Sequence, residues 1–110
     1  MAGKFEIYKD KKGEYRFRLL AGNGENILAS EGYKSKASAM NGAESVQKNC
    51  ADGNCFVKSP TPTGKFRFNM KAKNHQTIGT SQNYESEASR DNGIKAVGRA
   101  AKGAKIVDLT

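Results

Sequence analysis

Slid along itself by 51 positions, the chain matches itself without a gap from residues 13–46 onto 64–97, with fourteen identities in thirty-four positions. Gly13, Arg16, Phe17, Ala21, Asn23, Ile27, Ser30, Tyr33, Ser35, Asn41, Gly42 and Val46 are among the residues that recur. The same offset sets Phe5 against Phe56 and Phe56 against Val107, so a short apolar segment opens the first unit, joins the two and closes the second. A tandem duplication constrains the fold more tightly than composition does, because both halves must adopt one local structure and pack as equivalents. The expectation is a single domain over 1–110, made of two homologous repeats at about 1–53 and 54–110.

Within each unit the hydrophobic period gives the elements. Tyr15, Phe17 and Leu19 alternate with Glu14, Arg16 and Arg18, as Phe66, Phe68 and Met70 alternate with Lys65, Arg67, Asn69 and Lys71. Period two with one polar side marks a half-buried strand. Phe5 and Ile7 give an opening strand, closed by the turn Lys11-Lys12-Gly13; a third strand runs through Ile27, and through Ile78 in the copy. Pro60 and Pro62 keep the equivalent segment 59–64 out of any strand interior. Ser35 and Ser86 stand where a helix N-cap belongs, with Tyr33 and Tyr84 placed to pack back on the first turns. Ile94, Val97, Gly98 and Ala101 then form a helical stripe; Ala43, Val46, Gln47 and Cys50 form a poorer one. A short strand follows each helix, at 55–57 and 105–109.

The predicted fold is therefore α+β, a tandem β-β-β-α-β unit forming an antiparallel sheet with two helices packed on one face. The expected interior is Phe5, Ile7, Tyr15, Phe17, Leu19, Ile27, Val46, Phe56, Phe66, Phe68, Met70, Ile78, Ile94, Val97 and Val107.

The run 23–42, Asn-Gly-Glu-Asn-Ile-Leu-Ala-Ser-Glu-Gly-Tyr-Lys-Ser-Lys-Ala-Ser-Ala-Met-Asn-Gly, resembles the repeat of the YegP-like proteins, a bacterial family of small uncharacterised proteins. The second copy carries the same pattern in Tyr84, Ser86, Ala88, Ser89, Asn92 and Gly93. The resemblance covers nearly the whole chain. It implies two β(3)-α-β motifs sharing one antiparallel sheet, formed by tandem repeats here and by paired subunits in single-repeat relatives. It implies no activity. Ala43, where the second copy has Ile94, departs from the usual Asn-Gly-Ile and implies looser packing of the first helix.

With 36% hydrophobic residues in 110, the chain can fill one modest core, and no apolar run approaches the ~18 residues of a spanning helix. The start of the chain has no stretch suited to export, so a cytoplasmic location and reduced thiols at Cys50 and Cys55 are expected. Two Cys and one His fit neither a disulfide scaffold nor a zinc site, and no metal or cofactor is expected. His75 falls at a turn tip. No nucleophile, base and acid recur together, so no catalytic residues are assigned and the chain reads as a non-enzyme.

Nineteen basic and eleven acidic side chains leave a net charge of +8, and residues 54–110 hold ten of the basic and four of the acidic ones. Arg16, Arg18, Lys65, Arg67, Lys71 and Lys73 fall on the polar side of the strands and form the candidate anion-binding face, with nucleic acid the first partner to consider. The aromatic residues alternate onto the other side, which argues against base stacking, and the plainer reading is a face kept charged for solubility. Asn41 and Asn92 precede glycines inside the helices. Where Gly42 and Gly93 allow close approach, these amides would bond strand or turn backbone, or alternatively line a ligand groove between the units. The expected function is a small non-catalytic binding or interaction module, a monomer with internal twofold symmetry. Its partner would be a protein added at a sheet edge or an anion on the basic face.

Overall fold

The computed structural model describes residues 3–49, 55–71 and 77–110. Its elements run β1 (Lys4–Lys9), β2 (Tyr15–Leu20), β3 (Asn26–Ala29), α1 (Lys36–Asn49), β4 (Phe56–Pro60), β5 (Phe66–Lys71), β6 (Thr77–Thr80), α2 (Glu87–Ala101) and β7 (Lys105–Asp108). At the offset of 51, β2 falls on β5 and β3 on β6 residue for residue. The protein is α+β, with all seven strands in one sheet ordered β4-β5-β6-β3-β2-β1-β7 and both helices packed on its apolar face.

The hairpins form for the same reasons in each half. Asp10 N–H donates to Glu14 O and Gly13 N–H to Asp10 O; Thr61 N–H donates to Lys65 O and Gly64 N–H to Thr61 O. Gly13 and Gly64 hold φ of +83° and +79°, a region that L side chains avoid. β1 pairs antiparallel with β2 (Ile7 opposite Phe17) and β4 with β5 (Lys58 opposite Phe68). A register shift follows Leu19 in one copy and Met70 in the other, so the irregularity is itself duplicated.

After the third strand the chain turns toward the helix over a tyrosine. Tyr33 exchanges backbone hydrogen bonds with Tyr15, and Tyr84 with Phe66. The Tyr33 ring stacks on Phe17 at 6.5 Å and the Tyr84 ring on Phe68 at 6.3 Å. Gly42 and Gly93 let each helix settle on these rings: a Cβ at Gly42 would meet Phe17 and the Tyr33 hydroxyl at 2.8 Å, and one at Gly93 would collide with Tyr84. The close approach expected of the two glycines is thus made largely to the tyrosine ahead of each helix. Ser35 and Ser86 accept from the N–H of Ser38 and Ser89 as N-caps.

The core holds Phe5, Ile7, Phe17, Leu19, Ile27, Leu28, Val46, Phe68, Met70, Ile78 and Val97, with Ala39, Ala43, Ala100 and Ala101 where the helices meet the sheet. Each large side chain buried this way contributes about 1.5–3 kcal/mol. The expected interior needs correction in two ways. Tyr15, Phe56, Phe66, Ile94 and Val107 are only half-buried, while Leu28 is buried. In the sequence the glycine ahead of the last strand, Gly103, comes one residue before the counterpart of Gly53 on the 51-residue offset. Ile106 therefore lies opposite Phe5, and Val107 opposite Glu6 on the outer side. The sheet also departs from a purely antiparallel one, because β7 pairs parallel with β1.

The halves join where Ala29 pairs antiparallel with Thr80, its own counterpart at the 51-residue offset. A residue paired with its repeat equivalent places the approximate twofold axis between them. Beside that axis Leu28 occupies the space its counterpart Gly79 leaves, since a Cβ at Gly79 would lie 2.8 Å from Leu28 Cγ. Leu28→Ala should destabilise by about 2–5 kcal/mol. Gly79→Ala should destabilise by about 1–3 kcal/mol through overpacking. The double variant should fall short of the sum by about 0.5–3 kcal/mol, because the truncated leucine makes room for the new methyl. Urea unfolding of the four proteins measures the coupling, and strict additivity would show that the two positions do not share that space.

Candidate binding surfaces of the sheet

The outer face of the sheet is built from the polar members of the alternation. On β1 and β2 its charges are matched within the chain. Arg16 Nε donates to Asp10 Oδ2 at 2.7 Å and Arg18 Nε to Glu6 Oε1 at 2.7 Å, with Lys4 also 3.4 Å from Glu6. The Arg18 guanidinium lies 4.7 Å from the centre of the Tyr8 ring. These pairs hold Asp10 and Glu6 below the ordinary carboxylate range; for Glu6 the Arg18 hydrogen bond outweighs an opposing desolvation. Asp10 also accepts from the backbone N–H of Lys12 and Glu14, which fixes the turn that presents it. Arg16 is raised in turn, chiefly by Asp10.

On β4 and β5 the same face is differently provided. Lys65 pairs with Glu85. Arg67 and Lys71 are half-buried, and the buried Arg67 Nε has no hydrogen-bond partner among the described residues. Lys73 and His75 lie outside the described residues, as does Cys50; Cys55 is buried. Of the six basic residues singled out in the sequence, three are thus engaged by carboxylates of the chain itself.

Asn41 and Asn92 are exposed on the solvent side of their helices. The expectation that they bond strand or turn backbone beneath the helix is corrected: Gly42 and Gly93 face inward, and a neighbouring residue on a helix points elsewhere.

Several polar residues that pattern reasoning passed over prove structural. Phe17 N–H donates to Ser30 Oγ and Phe68 N–H to Ser81 Oγ, so the repeated serine stands in for a ladder partner as the strand ends. Identity at both positions was the available signal. Arg90 is buried, stands 5.7 Å from the Phe66 ring centre and reaches Asp91, which also pairs with Lys58 at 3.1 Å. Lys58 and then Arg90 lower Asp91. Gln47 Nε2 donates to Ala104 O at 2.6 Å, tying α1 to the end of α2.

The two edges of the sheet differ. β1 is covered by β7, with Leu109 N–H donating to Ile7 O. Asp108 is strongly lowered by the Thr110 hydroxyl, then by Lys36 Nζ at 2.9 Å. β4 pairs with β5 on one side, and no strand among the described residues lies on its other side. Between that free side and α2 runs a groove of about 370 Å³ lined by Phe56, Lys58, Asp91, Ile94 and Lys95.

The profile of the Domain of unknown function DUF1508 matches the chain twice, at residues 10–56 and 63–108. The chain belongs to the YegP family. A UPF0339 protein of Stutzerimonas stutzeri, named for its place in the ptx operon 5′ region, is 56% identical over 99% of this chain and 98% of its own length. The solution structure of YegP from E. coli, a protein of unknown function, superimposes with a TM-score of 0.94 at 45% identity, covering 100% of this chain and 95% of that one. A UPF0339 protein from Shewanella oneidensis gives 0.93 at 50% identity, covering 100% and 93%. The family is uncharacterised, and the resemblance read from the duplicated Tyr-x-Ser motif is thereby confirmed along with the α+β fold.

The lowered carboxylates fix the sign of the acid response. Glu6, Asp10 and Asp108 bind protons more readily when the chain is unfolded, so what they contribute is present above their ordinary values of 4.5, 3.8 and 3.8 and lost as the pH falls through the lowered ones. Thermal unfolding followed by circular dichroism should give a Tm that falls below about pH 4.5, near the ordinary carboxylate range. Glu6→Gln should flatten part of that fall; an unchanged acid limb would remove the Arg18 pair from the account.

Proposed function

We propose that the protein is a non-catalytic interaction module that accepts an extended segment of another protein along the free side of β4. The observation that carries this reading is the unequal treatment of two equivalent edges. β4 is the counterpart of β1, and β1 is covered by a parallel strand while no strand among the described residues covers β4. The counterpart of β7 in the first repeat would be the segment 54–57, but Phe56 and Val57 already serve as the start of β4. One segment cannot be both strands, so the duplication leaves one edge without its cover.

The geometry of that edge suits strand addition. Thr61 N–H points at β5, so by the alternation of a strand Val57 and Ser59 do too, and Phe56, Lys58 and Pro60 turn their backbone outward. Pro60 therefore sits where its missing N–H takes nothing from the ladder. Ile106 on β7 fills the space beside Phe5 at the covered edge. The groove between Phe56 and Ile94 is the matching space at the free one. Lys58 is already paired with Asp91 there, and Lys95 leaves the lining with a net positive charge that favours an occupant with an acidic residue; β7 itself carries Asp108. The occupant is thus a parallel segment of β7-like character, apolar at the groove and acidic beyond it. Anion binding through the outer face, the alternative suggested by composition, has less to draw on because Arg16, Arg18 and Lys65 already face carboxylates.

The probe is a synthetic hexapeptide with the sequence of residues 105–110, titrated into ¹⁵N-labelled protein. Amide shifts should concentrate at Phe56, Lys58, Ile94 and Lys95, and Lys58→Pro, which removes an outward N–H, should abolish them without loss of the folded spectrum. Shifts confined to β1 and β7, or none at millimolar peptide, would overturn the reading. The same shifts produced by raising protein concentration alone would make a second copy the occupant instead. Retention of labelled RNA that weakens steeply with salt would favour the basic face.

A further inference from the structure

The two halves differ most tellingly around one arginine. On the outer face of the first hairpin, Glu6 and Asp10 answer Arg18 and Arg16. In the second hairpin Val57 replaces Glu6, and Asn69 replaces Arg18, so that pair has gone as a unit. The other pair has not. Thr61 replaces Asp10, yet the counterpart of Arg16 is still an arginine, Arg67. Thr61 Oγ1 accepts from Lys65 N–H at 3.0 Å, so it keeps the turn but brings no negative charge. Glu85 is engaged by Lys65.

Among the described residues, the buried Arg67 Nε has no hydrogen-bond partner. Ser59, which lies opposite Arg67 in the register and replaces Tyr8, has a buried Oγ in the same condition. Buried polar atoms are almost always satisfied, so two on paired positions of adjacent strands that find no partner among the described residues leave room for an acceptor from outside the chain.

We propose that Arg67 and Ser59 anchor a carboxylate carried by the strand that occupies the β4 edge, an acidic side chain placed three residues after the apolar one that fills the groove. The inference rests on the edge reading above and adds the residue by which the partner is recognised. In the register that β7 takes on β1, Ile106 lies opposite Phe5 and Asp108 opposite Ile7; continued by one residue, where Leu109 N–H donates to Ile7 O, it sets Leu109, three residues after Ile106, against Tyr8 on the outer face. Transposed to the free edge, the apolar residue lies opposite Phe56 and the residue in the Leu109 position lies opposite Ser59. Strands are about 4.8 Å apart, so a carboxylate there lies beside Ser59 and reaches its hydroxyl once the cover over the buried Oγ shifts on binding. The Arg67 guanidinium reaches it from the next strand over, in the role Asp10 plays for Arg16. The geometry selects a parallel segment reading apolar, any, any, acidic.

Two hexapeptides test this, Lys-Ile-Val-Asp-Glu-Thr and Lys-Ile-Val-Asp-Gln-Thr, each titrated into the full chain and followed at the Ile94 amide. The Glu peptide should bind about five- to tenfold more tightly than the Gln peptide, as a partly buried charge-assisted pair allows. In Arg67→Gln the ratio should fall to about one while both peptides still bind through the edge, where backbone bonds carry the affinity. Ser59→Ala, which leaves the arginine in place, should lower the ratio partway and serves as the second variant if Arg67→Gln does not fold. Equal binding of the two peptides to the unaltered chain would overturn the anchor and leave the edge reading standing. Binding of neither would overturn both.

Discussion

The antiparallel contact between Ala29 and Thr80 is the constraint on which the rest of the structure depends. Because each residue faces its own repeat counterpart, the two three-stranded meanders become one sheet with an approximate twofold axis at its centre. Apolar faces that each meander alone would leave half-covered are then buried under two helices, and neither helix is confined to its own half: α2 lies against β1, β2 and β3 as well as β5. A seam on a twofold axis carries a steric rule. Equivalent side chains meet there, so two large ones collide and two small ones leave a void. Identical subunits have to compromise, whereas a fused duplicate can differ, and Leu28 against Gly79 is that difference.

The sequence displayed the elements of this fold plainly and its connections poorly. Strands β2 and β5 were legible because Phe17 and Phe68 alternate with arginines, and the helix starts because Ser35 and Ser86 cap them. The crossing of β7 to pair parallel with β1 was not legible, since Ile106 and Val107 have the same character whichever strand they join. Leu28 was missed because Ile27 and Leu28 are both buried beside a register shift, which breaks the period that reveals a strand. The amides Asn41 and Asn92 were misplaced for a related reason: the glycine after each marks the packed side, and the asparagine itself turns to solvent. Among the basic residues, a one-dimensional pattern could place Arg16 and Arg18 on a face but not show Asp10 and Glu6 standing over them.

Divergence between the halves is heavy at the edge strands and also reaches buried positions, where Lys58 answers Ile7, Gly79 answers Leu28 and Arg90 answers Ala39. The inner residues Phe5, Phe17 and Leu19 answer Phe56, Phe68 and Met70, because shared packing restrains both members of each pair. The outer residues have no such restraint. Glu6, Tyr8 and Asp10 became Val57, Ser59 and Thr61, an exchange that turns a covered, charge-compensated edge into a free and less acidic one. Val57 is 40% exposed as a result.

A free edge on a sheet invites indiscriminate pairing, and the features of β4 bear on whether it is merely guarded or built to receive. It is five residues long and ends at Pro60, and Lys58 stands on it, all devices that discourage edge-to-edge association. Those devices act against an antiparallel copy of the same strand, where lysine would approach lysine and proline would interrupt the outward ladder. They do not act against a parallel segment of the opposite charge, which pairs with Phe56 and Lys58 before Pro60 is reached. A merely guarded edge would have no reason to keep a groove floored by Phe56 and Ile94 under it, nor a buried arginine Nε beside it with no acceptor among the described residues. The combination of protection against self-pairing with unsatisfied chemistry for another chain is what specificity by exclusion requires. It makes the duplicated fold an asymmetric one, closed by its own strand on one side and, on the proposed reading, open to a partner's on the other.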